Sequence, residues 1–268
     1  MSLSVEKTYI LAEIGVNHNG SMDIARQMID VAKGVNCDAV KFQCFEPELS
    51  YDGNHNLLAW LQKTHLTKDQ LYSLKDYCGA DIDFLCSAFD LPSLDTLRGM
   101  GLNTLKIPSS RNTDVEFLNE AGKRFSHFIL STGMCNEKDV DLTLLILKQH
   151  TELKNVALLH CVSSYPTPLK DVNLQAMLRL KGKAGKIGIS DHTLGLTVPI
   201  AAVALGAQIV EKHLTLSRQM RGPDHPASIE PLELCGLVKT IRDVEKILGD
   251  GEKRIMGCER KYLYRKGK

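Results

Sequence analysis

Short apolar runs alternate with longer amphipathic stretches along almost the whole chain. Eight runs, at 9–14, 39–43, 84–87, 104–107, 127–131, 156–161, 187–190 and 209–213, are rich in Val, Ile, Leu and Phe. They lack clean polar alternation, which suits parallel strands covered on both faces. Stretches with helical spacing lie between and after them, at 21–34, 68–78, 91–100, 113–123, 136–149, 171–181, 195–206 and 231–248. Asn136 stands before Glu137-Lys-Asp139, and Thr113 stands before Asp114 and Glu116, both good contexts for a helix start. Eight strand–helix repeats with no spare element predict one (β/α)8 TIM-barrel domain over 1–268. A doubly wound open sheet is the alternative. The stretch after the first run, Gly15-Val-Asn-His-Asn-Gly20, is not the Gly-x-Gly-x-x-Gly turn that such a sheet uses for dinucleotides.

One long insertion, 44–67, interrupts the alternation and contains the sole tryptophan, Trp60. Connections of that length often carry function, so it is expected to be a lid or a packed excursion. The tail from Gly257 is basic and expected to be loose.

Composition narrows the class. The chain has 268 residues, 43% hydrophobic and 24% charged, as in ordinary globular proteins. A formal net charge of +1 offers no electrostatic case for nucleic acid or a membrane surface. No apolar run approaches the roughly 20 residues of a membrane helix. The start, Met-Ser-Leu-Ser-Val-Glu-Lys, lacks a basic region followed by an apolar stretch, so a cytoplasmic protein is expected. Cys37, Cys44, Cys78, Cys86, Cys135, Cys161, Cys235 and Cys258 form no Cys-x-x-Cys pair. They read as reduced thiols, several of them small core residues.

In such barrels the chemistry gathers where the strands end. Polar groups end every run here. They include Glu13; Lys41 and Gln43; Ser87; Lys106 and Ser109; Ser131 with Thr132-Gly133; His160, Ser163 and Tyr165; Ser190-Asp-His192; and Glu211-Lys-His213. The loop beyond holds Arg221-Gly-Pro-Asp224-His225. Lys41 and Lys106 stand inside apolar runs, where an ammonium group is costly unless an anion meets it. Either they reach outer carboxylates, or they and the serines form a cradle for phosphate and carboxylate. His192 and His213 lie 21 residues apart, one repeat, so their imidazoles arrive at one face of neighbouring strands. Two such imidazoles are candidate ligands for a divalent metal, against the plainer reading of hydrogen-bonded core histidines. His18, His160 and His225 are weaker candidates; His55, His65, His127 and His150 read as surface or packing residues.

Taken together these segments resemble the sialic acid synthase family of phosphoenolpyruvate-dependent nonulosonate synthases, including the spore-coat polysaccharide synthases. The resemblance is carried by Ala12-Glu-Ile-Gly-Val-Asn-His-Asn-Gly20, Val40-Lys-Phe-Gln43, Ile129-Leu-Ser-Thr-Gly-Met134 and Leu159-His-Cys-Val-Ser-Ser-Tyr-Pro-Thr-Pro168. It continues through Gly188-Ile-Ser-Asp-His-Thr-Leu-Gly195, Val210-Glu-Lys-His213 and Gly222-Pro-Asp-His225. It implies an enzyme of carbohydrate and polysaccharide biosynthesis that joins phosphoenolpyruvate to an aldose and releases phosphate.

By that resemblance Lys41, Lys106, Ser109, Ser131, Ser163 and Ser190 hold phosphoenolpyruvate, with Ser163 replacing a common Asn and Ser87 beside them. His192 and His213 bind Mn2+ or Mg2+, with His213 also counted as catalytic. Glu13 and Asp224 are the available catalytic carboxylates; Gln43, Tyr165 and Asp224 face the sugar. It implies a homodimer as well. Two departures stand out. Arg111 occupies a position where relatives commonly carry an acidic residue, and Arg111-Asn-Thr-Asp114 is similar to a stretch of the 3-deoxy-octulosonate-phosphate synthases in which the arginine meets a phosphate. Arg111 is therefore expected either to hold an anionic group of a substrate or to pair with Asp114 or Glu116. The sequence also shows no counterpart of the family's C-terminal antifreeze-like domain. The remaining readings are a metal-dependent aldolase or lyase on the same barrel, and a non-catalytic homologue that binds phosphoenolpyruvate and sugar.

Overall fold

The computed structural model describes residues 7–49 and 55–267, with the side chains of 55–57 and 264–267 left outside that description. Eight parallel strands close into a barrel in chain order. They are β1 (Tyr9–Gly15), β2 (Ala39–Cys44), β3 (Asp83–Ala88) and β4 (Thr104–Ile107). The other four are β5 (His127–Ser131), β6 (Val156–Cys161), β7 (Lys186–Asp191) and β8 (Ile209–His213). The expected barrel is the one found, and β8 pairs with β1 from Tyr9↔Ile209 to Glu13↔His213.

The helices form the outer layer: α1 (Met22–Gly34), α2 (His55–Thr64), α3 (Lys68–Cys78), α4 (Leu91–Gly99) and α5 (Val115–Arg124). They continue with α6 (Glu137–Leu147), α7 (Gln175–Arg179), α8 (Thr197–Ala204) and α9 (Pro231–Leu248). In α1 the buried Ala25, Met28, Ile29 and Ala32 recur at helical spacing, and Ser21 caps the first turn by accepting from the Ile24 N–H. Asn136 caps α6 in a reciprocal capping box with Asp139. The cap of α5 is Asp114, which accepts from the Phe117 N–H, rather than the expected Thr113.

Three stretches differ from the sequence reading. The expected helix at 171–181 contracts to α7, preceded by a 3-10 turn at Leu169–Asp171. The 44–67 insertion contains α2, a helix that no cap signal announced. The tail Gly257–Gly267 winds in 3-10 turns rather than running loose, with Tyr262 half exposed. No helix among the described residues is long and apolar enough to cross a membrane.

The core has two compartments. The larger lies between the strands and the helices and takes one face of every strand. The smaller fills the lower barrel with Leu11, Ala39, Leu85, Ile129, Ala157, Leu159 and Ile209. Side chains alternate faces along a strand, so the next inward positions up each strand share this interior. Those positions are Glu13, Lys41, Ser87, Ser131, Cys161 and Glu211. An apolar layer thus gives way to a polar layer at the C-terminal ends of the strands.

Candidate active site

The polar layer lines a cavity of about 350 Å3 at the C-terminal mouth of the barrel. A larger hollow, about 490 Å3, lies at the N-terminal mouth among Tyr9, Phe84, Phe128 and Ile209. It lacks convergent carboxylates and buried lysines, so the chemistry belongs to the C-terminal mouth.

Four buried charges alternate across the floor. Lys41 Nζ lies 2.7 Å from Glu13 Oε2 and 3.7 Å from Glu211 Oε2, while Lys106 Nζ lies 3.6 Å from Glu211 Oε1. Hydroxyls complete the set: Lys41 donates to Ser87 Oγ at 3.0 Å, Lys106 to Ser131 Oγ at 2.7 Å, and Ser190 to Glu211 Oε1 at 2.8 Å. Gln43 Nε2 donates to Glu13 Oε1 at 3.0 Å. Both lysines therefore point inward, not to the outer helices, and each meets a carboxylate. Glu211, read from sequence only as a neighbour of His213, is the centre of the array. Its signal was present: it sits two residues before His213 and so shares its face.

Burial sets the acid–base character of the floor. It pushes Glu13 up to about 7, with Lys41 pulling back. It would raise Glu211 too, but Lys106 and Lys41 on its two sides hold that carboxyl down at about 2. Burial also lifts Asp224 to about 6. It lowers Lys106, whereas Glu13 and Glu211 outweigh burial at Lys41 and raise it.

Two glycines shape the walls. Gly15 sits at a register irregularity of β1 with φ +54°, a conformation that favours glycine. A Cβ there would stand 3.1 Å from both Gln43 Nε2 and Glu13 Oε1. At Gly133 a Cβ would lie 2.4 Å from Ser163 Oγ and 2.7 Å from Ser109 Oγ. The Gly133 N–H donates to Ser109 Oγ at 3.1 Å, so two hydroxyls and a backbone amide converge where only glycine fits.

His192 and His213 meet as expected, with ring centroids 5.4 Å apart. His192 Nδ1 donates to the Val162 carbonyl at 2.9 Å, which leaves Nε2 with a free lone pair. His213 Nδ1 is buried without a hydrogen bond, 3.7 Å from Asp224 Oδ2. Burial lowers the pKa of both rings, so both are neutral, the form that ligates metal. The Tyr165 ring lies 4.0 Å from the His192 ring. Among the described residues no group of three or more His, Cys, Asp or Glu is arranged around a metal position. The two imidazoles suit a cation that takes its other ligands from water or substrate.

The weaker histidine candidates have packing roles. His18 is buried and accepts from the Gly20 N–H at 3.1 Å; His160 Nε2 donates to the Val172 carbonyl at 2.7 Å; His225 Nδ1 lies 2.7 Å from Thr215 Oγ1. Arg111 stands apart from the other expected site residues. Its Nε donates to the Phe89 carbonyl at 2.6 Å and its Nη1 meets Asp114 Oδ2 at 3.0 Å. It borders a separate surface hollow with Asp90, Asp114 and Glu116, so the ion-pair alternative describes its position.

The insertion expected to be a lid or a packed excursion supplies a wall through α2. Trp60 and Leu61 line the cavity. The helix is seated against two glycines with positive φ. A Cβ at Gly20 would strike the Lys63 carbonyl at 2.2 Å, and one at Gly222 would stand 2.9 Å from Trp60 Cζ2.

Known proteins resemble this chain in sequence and in fold. The NeuB family model matches residues 28–253. The N,N'-diacetyllegionaminic acid synthase of Campylobacter jejuni is 40% identical over 279 residues, covering 97% of this chain and 83% of that protein. The enzyme of the same name from Legionella pneumophila is 38% identical, covering 92% and 74%. The crystal structure of N-acetylneuraminic acid synthetase from Leptospira borgpetersenii superposes with a TM-score of 0.90 at 34% identity, over 98% of this chain and 92% of that one. A family match over most of the chain, with relatives well above 30% identity, is decisive: this chain belongs to the NeuB family of synthases.

Proposed function

We propose that this chain, as one TIM-barrel domain in the cytoplasm, condenses phosphoenolpyruvate with the aldehyde of an aldose to give a nonulosonic, 2-keto-3-deoxy acid and phosphate. The observation that carries the reading is the buried row Glu13–Lys41–Glu211–Lys106, ringed by serine hydroxyls at the barrel mouth. Two ammonium groups, several hydroxyls and the Gly133 amide supply the donors that a phosphate and a carboxylate need. Carbon 3 of phosphoenolpyruvate bonds to the aldehyde carbon, water adds at C2, and phosphate leaves from the same carbon.

In this reading Lys41, Lys106, Ser87, Ser109, Ser131, Ser163 and Ser190 hold phosphoenolpyruvate. Gln43, Tyr165 and Asp224 face the aldose. Glu13, whose carboxyl titrates near neutrality, takes the proton of the water that adds at C2. Asp224 is the second carboxylate within reach of the reacting carbons. Neutral His192 and His213 fit a divalent cation, Mn2+ or Mg2+, which when bound acts as a Lewis acid on the aldehyde oxygen. The free cysteines suit a reducing compartment.

The test is phosphate release from phosphoenolpyruvate with a panel of free and phosphorylated aldoses and Mn2+, with the keto acid identified by mass. Phosphate release that depends on an aldose supports the synthase. Cleavage of a keto acid without phosphoenolpyruvate would instead mark an aldolase or lyase.

A further inference from the structure

In the segment Arg111-Asn-Thr-Asp114 two neighbours do different work. Arg111 bonds to the Phe89 carbonyl and to Asp114. Asn112, next in the chain after the 3-10 turn Ser109–Arg111, is buried and lies outside the cavity lining. Its Nδ2 donates to the Ser131 carbonyl at 3.0 Å and to the Gly133 carbonyl at 3.2 Å, which uses both amide hydrogens. Its own backbone carbonyl accepts from the Thr143 hydroxyl of α6. The turn it grips is tethered to β6 by Thr132, whose N–H and hydroxyl both donate to the Leu159 carbonyl at 3.0 Å. The Gly133 N–H donates to Ser109 Oγ at 3.1 Å, and Ser131 Oγ accepts from Lys106 at 2.7 Å. Ser109, Ser131 and Lys106 line the cavity, so Asn112 bears on it only through them.

We propose that Asn112 is a positioning residue for phosphoenolpyruvate: its amide clamps the Ser131-Thr132-Gly133 turn so that the hydroxyls of Ser131 and Ser109 stand in the cavity wall as one set with Lys106. The inference rests on the synthase reading of the site and adds a residue that touches no substrate. The register between β4 and β5 ends at Ile107↔Leu130, and the next residue after β4, Pro108, has no N–H with which to extend it. Asn112 supplies side-chain donors that tie the two chain segments together beyond that point. Buried carbonyls that lose their donors must shift to find others, and the hydroxyls on the same turn shift with them. Thr132 would still hold the turn to β6, so the expected result is a displaced cradle in a folded barrel. The pairing demands an amide, since a carboxylate of the same shape has no N–H to donate.

Asn112→Ala removes the amide, and Asn112→Asp keeps its shape without the two N–H donors, so either variant decides the matter if the other does not fold. Equilibrium binding of phosphoenolpyruvate to the full chain should weaken at least about tenfold in each, the effect of one misplaced charge-assisted contact. Mn2+ affinity, set by His192 and His213 at the ends of β7 and β8, should stay unchanged, which a general loosening of the barrel would not allow. A double-mutant cycle with Ser131→Ala isolates the coupling. Because Asn112 acts through that turn, the losses of phosphoenolpyruvate affinity in Ser131→Ala and Asn112→Ala should not add. Additive losses overturn the proposal, as do equal losses of phosphoenolpyruvate and Mn2+ binding. Phosphoenolpyruvate bound equally by the wild type and both variants removes Asn112 alone. A wild type that binds no phosphoenolpyruvate instead removes the synthase reading, and the proposal falls with it.

Discussion

Asp191 and Lys212 form a buried ion pair of 2.6 Å between β7 and β8, one residue before each of the two site histidines. Three successive rungs join these strands on alternating faces. Ser190 meets Glu211 inside the barrel, Asp191 meets Lys212 outside it, and His192 meets His213 inside again. Asp191 also accepts from the Thr193 N–H and hydroxyl, and Lys212 donates to the Thr193 carbonyl. The pair therefore staples the corner after His192 to the strand that carries His213.

Removing one partner should be far worse than removing both. Lys212→Met leaves Asp191 buried and uncompensated, with an expected loss of about 3–5 kcal/mol. Lys212→Met with Asp191→Asn should recover part of that loss. Urea unfolding of the three proteins measures it; a double variant no more stable than Lys212→Met would show that the pair is not the stabilising unit.

His192→Ala and His213→Ala should each abolish tight Mn2+ binding and turnover while the barrel stays folded. The His192 ring is aimed by its bond to the Val162 carbonyl, and the lone pair it leaves free is the ligand. Calorimetric titration with Mn2+, alongside circular dichroism, checks this. Unchanged affinity in both variants would remove the histidines from the metal site.

Lys106→Met should weaken phosphoenolpyruvate binding roughly tenfold to a hundredfold, since a charge-assisted hydrogen bond contributes about 1.5–3 kcal/mol. Gly133→Ala should weaken it too, because the new methyl group drives Ser109 and Ser163 from their positions. Equilibrium binding of phosphoenolpyruvate, read beside the melting temperature, tells a loss of ligand from a loss of fold.

His18 should make the fold acid-sensitive. Burial lowers its pKa to about 4, and in the folded chain its Nδ1 must stay unprotonated to accept from the Gly20 N–H. Between about 6.5 and 4 the unfolded chain binds a proton that the folded chain does not, so stability falls as pH falls through that window. The loss is of order 3 kcal/mol for a shift of this size. His18→Asn, which keeps an acceptor and does not titrate, should flatten the decline in urea-unfolding free energy from pH 6.5 to 4. An unchanged slope would assign the acid sensitivity elsewhere.

Much of this architecture was written locally in the chain. Strand and helix signals depend on residues a few positions apart, so the eight repeats, the cap at Asn136 and the strand-end placement of Lys41, Lys106, His192 and His213 were all legible. Period-two alternation already put Glu211 on the face of His213. What that alternation could not show is that Glu211 would stand between two lysines from strands far away in sequence, because only closure of the barrel brings β2, β4 and β8 to one floor. Arg111 shows the same limit from the other side. Its position after β4 suggested the mouth, and the structure bonds its guanidinium to the Phe89 carbonyl, 22 residues away, and to Asp114. The role of the insertion stayed open between a lid and a packed excursion, since a helix becomes a cavity wall only through the partners it docks on, here Gly20 and Gly222 from opposite ends of the chain. Local chemistry determined which groups reach the mouth, and long-range packing decided which of them face one another there.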